Sequence, residues 1–221
     1  MRLVLLGPPG VGKGTQADLI AKEFKIKHYS TGDIFREILN GSSKLSRKLE
    51  KYVNTGELVP DEIVIQTIKK VLWRDGINRK GWILDGFPRN LIQAEMLDDL
   101  LSEENKKLNF AVYFYADKNI LIDRLSKRRV CSVCGIIYSL QTNPPKRNGI
   151  CDKCGGKLIQ RKDDKKETIL KRILIFEDEF NPIREYYINK GILIEVNGEG
   201  KVKDVFNQTI EKLKNGQKRR N

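Results

Sequence analysis

A chain of 221 residues with 42 Lys and Arg against 29 Asp and Glu, a net charge of +13, is long enough to bury one core of ordinary size without covalent staples. No apolar run approaches the ~18 residues of a membrane span, and the start MRLVLLGPPG reaches a glycine-rich loop too soon for a secretory leader, so a cytoplasmic protein without a membrane partner is expected. The positive excess makes polyanions, nucleotides and nucleic acids alike, the natural partners, although residues 212–221 and the pair Lys165-Lys166 read as solvated charge.

In chain order, residues 3–6 are a continuous apolar run closed by Gly7-Pro8-Pro9-Gly10, the pattern of a short strand buried on both faces. Ala17, Ile20, Ala21 and Phe24 follow at i, i+3, i+4 and i+7, one face of a helix. His28 lies on a short apparent strand and reads as a packing or surface residue. Residues 30–60 show short helical patterns and no strand long enough to extend a sheet. Buried runs recur at 82–84, 110–115 and 192–196, separated by helical patterns. One of these patterns predicts a helix over 117–129, which puts Arg124 and Arg128 on one face with Arg129 beside them as a bystander. Residues 127–164 are polar, turn-rich and hold all four cysteines. Val202, Val205, Phe206, Thr209, Ile210 and Leu213 form the stripe of a last helix that docks on the sheet until the basic tail begins. Strands alternating with helices imply an α/β core with a parallel sheet covered on both sides, and 30–60 and 127–164 read as insertions into it.

The glycine-rich segment Gly7-Pro8-Pro9-Gly10-Val11-Gly12-Lys13-Gly14-Thr15 sits between the first strand and the first helix, the setting of a phosphate-binding loop. Glycines let successive N–H groups turn inward, the helix start adds partial positive charge, and Lys13 supplies a full one. Polyphosphate binding follows, but not the reaction. Where the general pattern has Ser or Thr directly after the lysine, this chain has Gly14, with Thr15 next.

Four segments in one order carry a resemblance: GPPGVGKGTQ, then Ser30-Thr31-Gly32-Asp33-Ile34-Phe35-Arg36, then Gly56-Glu57-Leu58-Val59-Pro60-Asp61, then Asp85-Gly86-Phe87-Pro88-Arg89. Together they resemble the adenylate kinase family over essentially the whole chain. The resemblance implies a P-loop three-layer fold with a central parallel sheet, made of a core (1–29, 61–126 and 165–221), an AMP-binding insert (30–60) and a zinc-binding lid (127–164). It implies reversible, Mg-dependent phosphoryl transfer from ATP to AMP giving two ADP, by a monomer.

In-line phosphoryl transfer asks a protein to position two nucleotides and neutralise charge, and arginine's planar fork suits phosphate. By resemblance, Arg36 and Arg89 grip the AMP phosphate, while Arg124, Arg128, Arg161 and Arg172 close over the ATP phosphates and the moving group, Arg161 and Arg172 touching AMP as well. A solvated helix face would show the same Arg124–Arg128 spacing, so the resemblance alone assigns that pair. The resemblance also places ATP on Gly10, Val11, Gly12, Lys13, Gly14, Thr15, Arg128, Ile137, Tyr138 and Gly200, and AMP on Thr31, Glu57, Leu58, Val59, Gly86, Phe87, Pro88 and Gln93. Gln93 suits an adenine edge because an amide donates and accepts at once. Tyr138 reads equally as a packing residue of the lid. Asp85, at the carboxyl end of a buried strand, is expected to organise Mg²⁺ through water, with Asp33 assisting.

Cys131-x₂-Cys134, sixteen residues, then Cys151-x₂-Cys154 is the four-thiolate spacing of a zinc ribbon, with Gly135 and Gly155-Gly156 as knuckle glycines. Four thiolates fill a tetrahedral shell, so the zinc is expected to be structural; iron or cobalt fits the same cage. Two other functions fit parts of the sequence. A kinase for UMP, CMP or GMP shares the motifs, though the long cysteine-bearing lid argues against the short-lid pyrimidine enzymes. A nucleic-acid module would use the ribbon and the charge, but no aromatic stacking platform accompanies them, and no specific nucleic-acid partner is expected.

Overall fold

The apolar run near the start becomes β1 (Arg2–Leu6), and its side chains divide between two cores. Leu3 and Leu5 enter one with Ile83, Val112 and Phe114, while Val4 and Leu6 enter the other with Trp82, Leu84 and Ala111. A strand covered on both faces has no polar alternation to show, which is why it reads as a continuous run. This computed structural model describes residues 1–39, 41, 44–74 and 81–219.

The remaining elements of the main sheet are β2 (Lys27–Ser30), β3 (Trp82–Asp85), β4 (Phe110–Tyr115) and β8 (Leu193–Asn197), all parallel in the order β2-β3-β1-β4-β8. Helices α1 (Lys13–Phe24), α4 (Asp61–Arg74), α5 (Leu91–Ser102), α6 (Lys118–Ser126), α7 (Lys166–Asn189) and α8 (Val202–Lys218) join or cover these strands. The chain leaves β1 toward one side of the sheet and later crosses to β4 on the other, so the carboxyl end of β1 is a topological switch point, where open α/β sheets bind ligands. The insert at 30–60 is helical, with α2 (Thr31–Leu39) and α3 (Lys44–Thr55). The second insert forms a three-stranded antiparallel sheet of β5 (Arg128–Cys131), β6 (Ile137–Ser139) and β7 (Leu158–Ile159), with β5 in the middle.

Two expectations are corrected. The helix predicted over 117–129 stops at Ser126, so Arg128 lies on β5 and does not share a helix face with Arg124. The physical cause is the ribbon: Lys127 offers its carbonyl to Leu140 N and the chain then pairs with β6, a tertiary pairing that overrides local helical pattern. The carboxyl-terminal segment is not loose charge from residue 212 onward. It continues as α8 to Lys218, with Leu213 fully buried and Gly216 against the Phe110 ring, while its lysines stay exposed. Among the described residues no helix is long and apolar enough to cross a membrane.

Candidate active site

The glycine loop after β1 turns into α1 through Gly12, whose backbone is left-handed (φ 102°) and whose position leaves the first turn of α1 without a side-chain cap. Uncapped N–H groups at a helix start are free to donate hydrogen bonds to an anion. Lys13 folds back over the loop, its Nζ donating to Gly7 O at 2.6 Å and Pro8 O at 3.0 Å. Burial, together with the nearby cations Arg89, Arg172 and Arg128, outweighs the attraction of Asp85 and lowers the Lys13 pKa to about 8. A Cβ on Gly14 would stand 3.4 Å from Asp85 Oδ2, so the position that replaces the usual Ser or Thr lies directly against the carboxylate closing β3. Gly10 and Val11 complete the loop, Thr15 is exposed on the first turn of α1, and Gly200 lies open in the turn after β8.

Five of the six expected arginines gather with Lys13. Arg128, brought in by β5, grips Asp164 with Nε at 2.8 Å and with Nη2, and Arg172 on α7 reaches the same carboxylate at 3.4 Å and Asp163 Oδ2 at 2.9 Å. Asp164 has a side chain with 0 % exposure, and its carboxylate is held by Arg128 and Arg172. Arg36 on α2 pairs with Asp33, and Arg161 approaches the same carboxylate at 3.6 Å. Burial opposes ionisation of Asp33, but Arg36 and Arg161 outweigh it and hold the carboxyl below its ordinary range. Arg89 keeps an accessible face, yet desolvation between the cleft walls and then repulsion from Arg172 lower its pKa to about 10. Arg161 is lowered to about 10 by burial, then Arg36 and Arg128. Cations that depress one another are waiting for anions, because a polyphosphate would relieve the repulsion.

Arg124 stands apart. Its guanidinium donates to Gly198 O at 2.8 Å, Glu199 O at 3.1 Å and Val11 O at 3.4 Å, tying α6 to the phosphate loop and to the turn after β8.

On the other wall, Thr31 Oγ1 donates to Asp85 O at 3.1 Å and lies where a Cβ on Gly86 would be 2.8 Å away, and Gly86 adopts φ +80°. Only glycine lets the Gly86-Phe87-Pro88-Arg89 segment pass so close to α2. Arg89 Nε donates back to Gly86 O at 2.8 Å. Gly56, with φ +75°, packs on the Arg172 side chain, and next to it Glu57 pairs with Lys171 at 2.8 Å; Leu58 and Val59 continue this wall, Val59 buried. Gln93 is 1 % exposed; its Oε1 accepts from Arg89 N at 2.8 Å and its Nε2 donates to Asp61 Oδ1 at 2.7 Å.

In the ribbon the four Sγ atoms lie within 4.8 Å of one another, with Cys131–Cys154 at 3.4 Å and Cys134–Cys151 at 3.6 Å. A tetrahedral ion with bonds of about 2.3 Å to sulfur sets edges of about 3.8 Å, so the donor set fits a thiophilic metal. Backbone N–H groups of Cys134 and Val133 point at Cys131 and lower its pKa, and the Tyr138 hydroxyl near Cys151 does the same there, to about 6. Tyr138 is thereby turned inward, 5 % exposed, accepting from Asp152 N at 2.8 Å; its side chain packs the ribbon, while Ile137 is exposed beside it.

Three acidic residues escaped the sequence reading, and one histidine was given less than the structure shows. Asp163 and Asp164 follow Arg161 closely enough that Arg161-Lys162-Asp163-Asp164 could have been read as cations with built-in counter-ions. Asp61 appeared only as the end of a motif. His28 is not a bystander at the surface: half-buried on β2, its Nδ1 is 2.8 Å from Asp18 Oδ1 and its Nε2 3.7 Å from Asp85 Oδ2. Burial lowers its pKa, but Asp18 and Asp85 outweigh that and raise it to about 9.

Comparison with known proteins agrees with the motifs. The sequence profile of the family described as adenylate kinase matches residues 5–192. The chain is 47% identical over 219 residues to the adenylate kinase of Caldanaerobacter subterraneus subsp. tengcongensis, covering 99% of this chain and 98% of that protein. It is 45% identical over 206 residues to the adenylate kinase of Bacillus subtilis, covering 93% and 94%, and 45% identical over 206 residues to that of Clostridium botulinum, covering 93% and 95%.

Proposed function

This chain belongs to the adenylate kinase family, and on that premise we propose that its cation-lined cleft carries out ATP + AMP ⇌ 2 ADP. The observation that carries the residue assignment is the gathering of Lys13, Arg36, Arg89, Arg128, Arg161 and Arg172 from four different elements and two loops around a common space, with depressed pKa values at Lys13, Arg89, Arg161 and Arg172. An oxygen of the AMP phosphate attacks the γ-phosphorus of ATP, the bond to the β,γ-bridging oxygen breaks, and ADP leaves on each side. Neither phosphate needs a protein base to be deprotonated at neutral pH, so the protein's part is alignment and charge neutralisation. Mg²⁺ accompanies ATP and supplies electrostatic neutralisation, and Asp85 would hold it through water.

In this reading Lys13 and the uncapped start of α1 hold the β- and γ-phosphates. Arg36 and Arg89 hold the AMP phosphate, with Thr31, Val59 and Gln93 on the nucleoside side. Arg128, Arg161 and Arg172 are shared between their present carboxylates and the transferred group, and exchange of one anion for the other accompanies closure of the lid (127–164) over the core. Arg124 serves as a strut that positions the loop. The cysteine cage holds zinc, and the enzyme works as a cytoplasmic monomer, since one chain supplies both walls of the cleft.

A coupled assay of ADP formation from ATP with AMP, GMP, UMP and CMP in turn tests this. AMP is expected to be turned over at least ~10²-fold more efficiently than any other, the discrimination available to a site that hydrogen-bonds a base edge. Faster turnover of another monophosphate would assign the chain to that substrate instead.

A further inference from the structure

We propose that Asp61 is a specificity-determining positioning residue: it locks the Gln93 amide in one of its two orientations, so that the cleft accepts the hydrogen-bonding edge of adenine and rejects the inverted edge. The proposal rests on the reading above that Gln93 meets the base.

A glutamine amide has nearly the same shape when turned over, and only its partners decide which end is oxygen. Here both partners are unambiguous. Arg89 N–H can only donate, so the atom facing it at 2.8 Å is Oε1. The ionised carboxylate of Asp61 can only accept, so the atom facing it at 2.7 Å is Nε2. The same Asp61 Oδ1 accepts from Asn90 Nδ2 at 3.0 Å, and Asn90 is fixed in turn because its Oδ1 caps α5 by accepting from Gln93 N at 2.8 Å. Asp61 therefore orients two amides at once, across 29 and 32 residues of sequence, from the first turn of α4.

The chemical consequence follows from counting. An amide has two N–H donors and two acceptor lone pairs. Arg89 and Asp61 use one of each, which leaves one donor and one acceptor in a fixed order. The adenine edge presents an amino donor beside a ring-nitrogen acceptor; hypoxanthine presents a carbonyl acceptor beside a ring N–H donor. A Gln93 free to turn over would suit both. A locked one suits only one of them and leaves two mismatched pairs with the other, the kind of polar mismatch that separates substrates most sharply.

Gln93 also reaches back to the backbone just before the cap residue of α5, much as a capping-box side chain does, so a purely structural role predicts loss of stability without loss of base choice. The deciding readout is thus the ratio of kcat/KM for AMP to that for IMP, measured with saturating ATP on the full chain, alongside thermal melting. Asp61→Ala is expected to raise the KM for AMP about tenfold and to lower the AMP/IMP ratio about tenfold or more, with the KM for ATP within about twofold of the parent. Asp61→Asn keeps an acceptor at Oδ1 and is expected to retain the parent ratio. Should Asp61→Ala fail to fold, Asp61→Ser keeps the helix start but offers a hydroxyl that can donate as well as accept, and is expected to lower the ratio in the same direction. An unchanged ratio in folded Asp61→Ala or Asp61→Ser, with a collapsed ratio in Gln93→Ala, overturns the lock and leaves Gln93 as the base reader. An unchanged ratio in Gln93→Ala overturns the reading of Gln93 itself, and the lock with it.

Discussion

Lys13→Ala is expected to lower turnover by about 10³-fold or more while the protein stays folded, because it removes the ammonium placed at the phosphate loop. In the free protein that ammonium donates to the carbonyls of the buried Gly7 and Pro8, so its loss is expected to cost about 1–3 kcal/mol of stability without unfolding the chain. Arginines nearby cannot substitute, because in this reading each of them already holds phosphate oxygens of its own once the nucleotides are bound. The depressed pKa adds a pH signature. A bound polyphosphate favours charged Lys13, so its pKa rises on binding, and between about pH 8 and the higher bound value the complex holds more protons than the free protein. ATP affinity should therefore weaken as pH rises above about 8, with proton uptake on binding visible by titration calorimetry in buffers of different ionisation enthalpy. Lys13→Arg should lack that alkaline weakening. Near-parental turnover in Lys13→Ala would remove Lys13 from the mechanism.

Stripping the metal from the cysteine cage is expected to have the largest effect on stability. The ribbon's own core consists of Cys131, Tyr138, Cys151 and Leu158 with Ile136 packed against them, far too little apolar surface to order a polar segment of this length. Metal binding can supply what burial does not. Loss of a structural metal belongs with the few changes worth more than ~4 kcal/mol, and at ~2–4 °C per kcal/mol for a chain of this size the midpoint should fall by on the order of 10 °C. Cys131→Ser should reproduce the effect and lower the zinc content. Activity should decline as a consequence, since Arg128 is carried on β5 immediately before Cys131. A chelated protein that melts unchanged would show that the cage is not a structural metal site.

Much of this molecule is legible from its residues, and the reasons for the exceptions are physical. The strands β1, β3 and β4 announce themselves because helices cover both faces of the sheet, so apolar positions follow one another without polar alternation at 3–6, 82–84 and 110–115. The edge strand β2, Lys27-His28-Tyr29-Ser30, is only partly buried and has no such run, so the sequence marks it only as a short apparent strand at His28. The ribbon strands are two to four residues long and exist because four sulfurs draw the chain together, so no periodicity could reveal them, and Arg128 was placed on a helix as a result. Cations at the site were readable because phosphate chemistry demands them. The more distant counter-ions were not, since the pairs Arg128–Asp164 and Arg161–Asp33 are made across long stretches of chain and only the fold brings them within reach, as it does the Gln93 amide and the Asp61 carboxylate. Tyr138, which the sequence reads equally as a nucleotide contact and as a packing residue of the lid, is buried beside Cys151 in the ribbon core.

The claim on which the rest stands is that Lys13, Arg36, Arg89, Arg128, Arg161 and Arg172 serve one phosphate chain. A crystal structure of the protein with two adenosines joined by five phosphates measures this directly. All six cations are expected within hydrogen-bonding distance of phosphate oxygens, with Arg36 and Arg161 having exchanged Asp33 for the ligand. A ligand seated in the cleft while these side chains remain on Asp33, Asp163 and Asp164 would contradict it.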